Sequence, residues 1–104
     1  MMTEEKKKEL IDALVKAANP VLIMMQGPFP PEMEMPNEYD ALVLYKDGGN
    51  YTQIIHAIYE SIPDGVDVYV RAENISTYNR NLEYGEYLER NYAKNGVVVY
   101  ESHA

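Results

Sequence analysis

The chain has 104 residues, of which 46% are hydrophobic and 25% charged, values typical of a folded domain and not of a disordered segment. Its 17 acidic residues outnumber its 9 basic residues, and the net charge of −8 argues against non-specific nucleic-acid binding and against docking on anionic membranes. The absence of cysteine excludes disulfides, zinc–thiolate sites, iron–sulfur clusters and thiol nucleophiles. We predict a single domain over residues 1–104. We also predict a cytoplasmic protein, because the acidic start is unlike a secretory signal and no apolar run is long enough to span a bilayer.

The first half of the chain indicates one helix and two strands, separated by a proline-rich segment. Residues 3–18 have apolar side chains at helical spacing, and the following Asn-Pro pair ends the predicted helix, since a residue before proline disfavours helical backbone. The apolar run 21–25 predicts a buried strand, and residues 39–46 predict a central strand buried on both faces. Between them, residues 26–36 contain four prolines and predict the longest loop of the chain.

The second half of the chain indicates three helices and two strands. Residues 50–62 predict a helix, residues 73–82 a short helix, and residues 83–95 a helix that ends before a glycine. Residues 66–72 alternate between apolar and polar side chains and predict a strand, and residues 97–100 predict a last strand. The resulting order, αββαβααβ, favours an α/β (α+β) fold in which helices pack on a small mixed sheet.

Tyrosine is frequent in this chain, with ten residues against one phenylalanine and no tryptophan. Tyr84, Tyr87 and Tyr92 fall at helical spacing on the last predicted helix. Such a stripe is typical of a helix face packed on the core, although exposed tyrosine also favours protein interfaces. We predict a core stripe, with an interface as the alternative.

Three carboxylates form the most suggestive candidate site. Glu38 and Asp40 are two residues apart at the start of the predicted central strand, so the pleat places both side chains on one face. Asp67 lies near the start of the next strand along the chain. If these strands are neighbours, the three carboxylates converge at one edge of the sheet, where such oxygen ligands suit Mg²⁺. The alternative is that acidic residues flank the strands because strand ends are solvated.

Four segments, in their order and spacing, carry a family resemblance. They are residues 18–25 (ANPVLIMM), 37–43 (NEYDALV), 65–70 (GVDVYV) and 95–101 (NGVVVYE). Together they resemble the minimal nucleotidyltransferase domain of the polymerase-beta-like nucleotidyltransferase superfamily, over nearly the whole chain. The resemblance implies a nucleotidyltransferase-like fold, and it implies that Glu38, Asp40 and Asp67 are the catalytic residues and the metal ligands.

The chain departs from the family pattern at the phosphate-binding loop. Where the family has a Gly-Ser turn that binds phosphates, this chain has Gln26 and Gly27 followed by prolines, which lack N–H groups. No Arg or Lys lies between Lys16 and Lys46. The first carboxylate is Glu38 instead of Asp, and its additional methylene displaces a metal ligand. Gln26 and Gly27 stand at the position of the phosphate-binding turn, so the resemblance implies that these two residues bind the phosphates of a nucleotide.

The resemblance and its departures lead to two main functional hypotheses. The first is a catalytically impaired nucleotidyltransferase-like domain, a pseudoenzyme that acts through a protein partner or a homo-oligomer in a regulatory or antitoxin-like role. The alternative is an active enzyme that uses Mg²⁺ on Glu38, Asp40 and Asp67 to transfer a nucleotidyl group from a nucleoside triphosphate to a hydroxyl acceptor. A third hypothesis is an unrelated small α/β sandwich. We favour the first, because the loop offers phosphates neither a hydroxyl nor a cation.

Overall fold

Helices cover both faces of a four-stranded mixed sheet in the computed structural model, which describes residues 2–29, 32–33 and 38–102. The helices are α1 (Glu4–Ala18), α2 (Tyr51–Ser61), α3 (Ile75–Tyr84) and α4 (Tyr87–Asn95). The strands are β1 (Leu22–Gln26), β2 (Tyr39–Tyr45), β3 (Val68–Asn74) and β4 (Val97–Glu101). The predicted α/β class, mixed sheet and order αββαβααβ are confirmed.

The sheet has the strand order β3-β2-β1-β4, so β1 and β2 are its central strands. Strand β1 is antiparallel to both β2 and β4, whereas β2 and β3 are parallel. Gln26 lies opposite Asp40 in the β1–β2 ladder, and Tyr39 lies opposite Val68 in the β2–β3 ladder. Because parallel strands begin at the same edge of a sheet, the starts of β2 and β3 lie side by side.

Each face of the sheet has its own apolar core. Helices α1 and α2 cover one face, where the completely buried side chains include Leu10, Leu14, Ile23, Val43 and Ile58. Helices α3 and α4 cover the other face, where the buried apolar cluster consists of Met24, Leu42, Leu44, Tyr78 and Tyr92. Successive residues of β2 point to opposite faces, so its continuous apolar run is explained by burial on both sides.

The prediction of a helix over residues 83–95 is wrong at its N-terminal end. Helix α3 continues through Tyr84, and α4 begins only at Tyr87. Gly85 separates the two helices with φ of +79°, and its N–H donates to the Leu82 carbonyl at 3.1 Å. Glycine ends helices in this way because it adopts the left-handed conformation without the steric cost of a Cβ atom.

Asn74 caps the N-terminus of α3, since its side-chain oxygen accepts a hydrogen bond from the Thr77 N–H at 2.8 Å. Asn74→Ala removes this acceptor and is expected to lower the free energy of unfolding by about 1 kcal/mol. The exposed Asn79 on the same helix provides the matched control, because Asn79→Ala changes helix propensity without removing a cap. Urea denaturation measures both variants. Equal stabilities would contradict a contribution from the cap.

Candidate functional site

The three predicted carboxylates lie near the adjoining starts of β2 and β3, but their surroundings differ. Glu38 immediately precedes β2 and is half-buried, whereas Asp67 immediately precedes β3 and is exposed. Asp40 is the second residue of β2 and alternates with Leu42, so its side chain faces the layer formed by α3 and α4. The structure therefore brings the three residues to one edge of the sheet and turns Asp40 toward the interior.

Asp40 belongs to a polar cluster between the sheet and α4. Gln26 lies opposite Asp40 in the β1–β2 ladder. Arg71 interacts electrostatically with Asp40, and both of these residues interact electrostatically with Tyr92. Burial raises the pKa of the Asp40 carboxyl, and the positive charge of Arg71 partly opposes this effect. Its Oδ1 atom is buried and accepts no hydrogen bond from any residue that the structure describes. Asp40 is thus partly buried, with one carboxylate oxygen enclosed by the protein.

Tyr92 is the most deeply buried member of this cluster, with 1% of its surface exposed. Its hydroxyl has no hydrogen-bond partner among residues 2–29, 32–33 and 38–102. Burial and the nearby negative charge of Asp40 raise the pKa of Tyr92, whereas Arg71 lowers it. The phenol therefore stays neutral at physiological pH, and Tyr92 contributes a large apolar ring to the packing of α4 on the sheet.

Gln26 and Gly27, the two residues expected to bind phosphates, make internal contacts. The Gln26 Oε1 atom accepts a hydrogen bond from Asn91 Nδ2 at 3.3 Å. Gly27 has φ of +119°, and a Cβ atom there would lie 2.7 Å from the Glu38 carbonyl oxygen. The Phe29 N–H donates to the same oxygen at 3.2 Å. These contacts fix the start of the proline-rich loop against β2, while residues 30, 31 and 34–37 of the predicted loop and its flank lie outside the described residues.

A second acidic cluster lies on the face of the sheet that α3 and α4 cover. It includes Glu73, which follows Arg71 by two residues on β3. The Nδ2 atom of Asn81 donates to Glu73 Oε1 and to Glu89 Oε2, both at 3.1 Å. Glu89 is 3% exposed, which is unusual for a charged residue. Burial and the adjacent Glu89 carboxyl raise the pKa of Glu73 to about 7, although the Asn81 amide opposes the shift. A protonated Glu73 avoids the repulsion between two neighbouring carboxylates.

Arg71, Glu73 and Glu89 were not among the predicted site residues, although the sequence carries a signal for them. Arg71 and Glu73 alternate with apolar residues on a strand whose two faces are both covered by helices, so they had to find partners inside the protein. Glu89 precedes Tyr92 by one helical turn, which places it on the same buried face of α4.

The predicted tyrosine stripe divides into one buried and two exposed residues. Tyr92 is buried, as expected for a core stripe, but Tyr84 is 74% exposed and Tyr87 is 82% exposed. The prediction is wrong for these two because the break at Gly85 ends the predicted helix between them. Both rings lie on the surface at the junction of α3 and α4.

Metal binding was predicted for Glu38, Asp40 and Asp67. Among the residues that the structure describes, no group of three or more His, Cys, Asp or Glu side chains could hold a metal ion. The positive charge of Arg71 near Asp40 also opposes the binding of a divalent cation at this carboxylate. The assignment of Mg²⁺ to these residues stays a prediction.

Comparison with known proteins gives no match to a family description, to a curated protein or to a solved structure. In the described part of the chain, no helix is both long and apolar enough to cross a membrane.

Proposed function

We propose that this chain is a nucleotidyltransferase-like domain with impaired catalysis, which acts through contacts with another protein molecule. The main support for impaired catalysis comes from the surroundings of Asp40. A carboxylate that binds a metal must present its oxygens to the metal, whereas one oxygen of Asp40 is buried within the protein. The positive charge of Arg71, whose guanidinium lies over the Tyr69 ring, is near enough to oppose the effect of burial on the pKa of Asp40. An adjacent arginine also competes electrostatically with a divalent cation.

The start of the proline-rich loop supports the same proposal. A nucleoside triphosphate carries about four negative charges, so its binding depends on cations and N–H donors placed around the phosphates. The sequence has no Arg or Lys between Lys16 and Lys46. A side chain at Gly27 would collide with the Glu38 carbonyl oxygen, and the Gln26 side-chain oxygen already accepts a hydrogen bond from Asn91. This end of the sheet therefore offers little to an incoming triphosphate.

Exposed apolar side chains support the part of the proposal that concerns protein contacts. Val97 and Val98 lie on the edge strand β4 and are 62% and 52% exposed. Tyr84 adds a largely exposed ring at the junction of α3 and α4. Exposed valine and tyrosine side chains of this kind are typical of binding surfaces, for a partner protein or a second copy of the chain.

A transfer assay tests the catalytic part of the proposal. The purified chain is incubated with Mg²⁺ and nucleoside triphosphates labelled at the α-phosphate, and label on protein or small hydroxyl acceptors is measured. We expect no transfer above a protein-free blank, and no difference between the wild type and Asp67→Asn. Transfer that disappears in Asp67→Asn would instead support the active Mg²⁺-dependent enzyme.

Association measurements test the part that concerns protein contacts. Sedimentation velocity and affinity capture from the source cells are compared for the wild type, Val98→Lys and the control Thr52→Lys, which adds the same charge at an exposed position of α2. We expect a stoichiometric complex or a homo-oligomer that Val98→Lys weakens and Thr52→Lys preserves. A wild-type chain that remains monomeric and captures no partner would contradict the proposal.

A further inference from the structure

A cavity of about 480 Å³ lies along the outer side of α4, within the size range of small-molecule sites. We call it the α4 cavity; its lining residues are Gly85, Tyr87, Arg90, Asn91, Lys94 and Asn95. The Asn91–Gln26 hydrogen bond connects it with the cluster around Asp40, but Glu38, Asp40 and Asp67 do not line it. None of the roles proposed above uses the side chains of Arg90, Lys94 or Tyr87.

The charged residues that line the α4 cavity are both cations, in a chain whose net charge is −8. Arg90 and Lys94 are four residues apart, so they project from the same side of the helix. Neither forms an ion pair with an acidic residue of the described chain. A Cβ atom at Gly85 would lie 3.5 Å from the Arg90 Nη1 atom, so the guanidinium lies against bare backbone at the wall of the cavity.

Two amide side chains in the α4 cavity are held in place by hydrogen bonds. Asn95 Nδ2 donates to Asn91 Oδ1 at 2.8 Å, and Asn91 Nδ2 donates to Gln26 Oε1 at 3.3 Å. Each amide NH₂ group has two hydrogens, so each retains one donor beyond these contacts. Fixed amide donors beside two unpaired cations form a suitable arrangement for phosphate oxygens.

Tyr87 provides an apolar surface at the same cavity. Its ring is 82% exposed, so it is available to a flat ligand at little cost in protein rearrangement. Nucleobases commonly stack on exposed aromatic rings of this kind, and every base can do so because every base has a flat π-face.

We infer that the α4 cavity binds a small phosphorylated molecule with a planar ring, of the mononucleotide type. Arg90, Lys94 and the two asparagine amides bind the phosphate, and the Tyr87 ring stacks on the planar group. The inference goes beyond the proposed function, because it requires neither Mg²⁺ nor Glu38, Asp40 and Asp67. A positive result in the transfer assay would therefore leave it unchanged.

Calorimetric titration with AMP, ADP, pyrophosphate and adenosine tests this inference at low salt and in the presence of EDTA. We expect AMP and ADP to bind with a Kd below about 1 mM and adenosine to bind more weakly than AMP. The Arg90→Ala/Lys94→Ala double variant should weaken AMP and ADP binding at least about tenfold. Tyr87→Ala should weaken AMP binding about tenfold and leave pyrophosphate binding unchanged.

The matched control is Lys8→Ala/Lys46→Ala, which removes two positive charges at exposed positions away from α4 and should preserve binding. In NMR spectra, the side-chain amides of Asn91 and Asn95 should shift when AMP is added. Absence of AMP binding would overturn the inference. So would equal losses in the two double variants, which indicate a general charge effect, or binding that requires Mg²⁺ and disappears in Asp67→Asn.

Discussion

Replacing Tyr92 by alanine is expected to lower the free energy of unfolding by about 3–5 kcal/mol. The ring is 1% exposed and belongs to the apolar core beneath α3 and α4, together with Leu42 and Leu44. Its removal leaves a cavity between α4 and the sheet. The expected loss is a large part of the free energy of unfolding of a typical domain, which is about 5–15 kcal/mol. Urea denaturation followed by circular dichroism measures the change.

Tyr92→Phe is the control that separates the ring from its hydroxyl. The hydroxyl is buried without a hydrogen-bond partner among the described residues, so its removal is expected to change the free energy of unfolding by less than about 1 kcal/mol. A loss in Tyr92→Phe similar to that in Tyr92→Ala would show that the hydroxyl, through Arg71 or Asp40, holds the cluster together.

The order of the elements could be predicted because it depends on local signals. The proline after Asn19 ends α1, and the uninterrupted apolar residues of β2 indicate burial on both faces. The boundary between α3 and α4 was harder to predict, because a single glycine within a helical pattern is often tolerated. At Gly85 the left-handed conformation ends the helix, and the spacing of the tyrosines across that point has no structural meaning.

The candidate site could be predicted only in part, for a different physical reason. The two-residue period of a strand places Glu38 and Asp40 on one face, but it does not determine which helices cover that face. Which helices cover the face depends on long-range packing, and here α4 packs over Asp40 and places Tyr92 near its carboxylate. The same packing joins Glu73 on β3 with Glu89 on α4 through hydrogen bonds from Asn81 on α3. Because the three residues lie on different elements, the residue spacing within one element could not predict this contact.

The pair formed by Glu73 and Glu89 makes stability depend on pH near neutrality. The pKa of Glu73 is raised from its ordinary value of 4.5 to about 7, chiefly by burial. Between these values the folded state binds more protons than the unfolded state, so the free energy of unfolding falls as pH rises from about 4.5 to about 7. We expect a fall of about 1–2 kcal/mol, less than full linkage gives, because Glu73 is only partly buried and solvent screens the pair.

Glu73→Gln tests this origin, because the amide imitates the protonated carboxyl and can still donate to Glu89. The variant should be more stable than the wild type above pH 7, and its stability should vary less between pH 4.5 and 7. Glu83→Gln, at an exposed position of α3, removes the same charge and should retain the wild-type slope. Burial also raises the pKa values of Tyr45 and Tyr78, so these phenols stay neutral and do not contribute to the slope. A slope that survives in Glu73→Gln would place the titrating group elsewhere, with Asp40 the next candidate because burial raises its pKa as well.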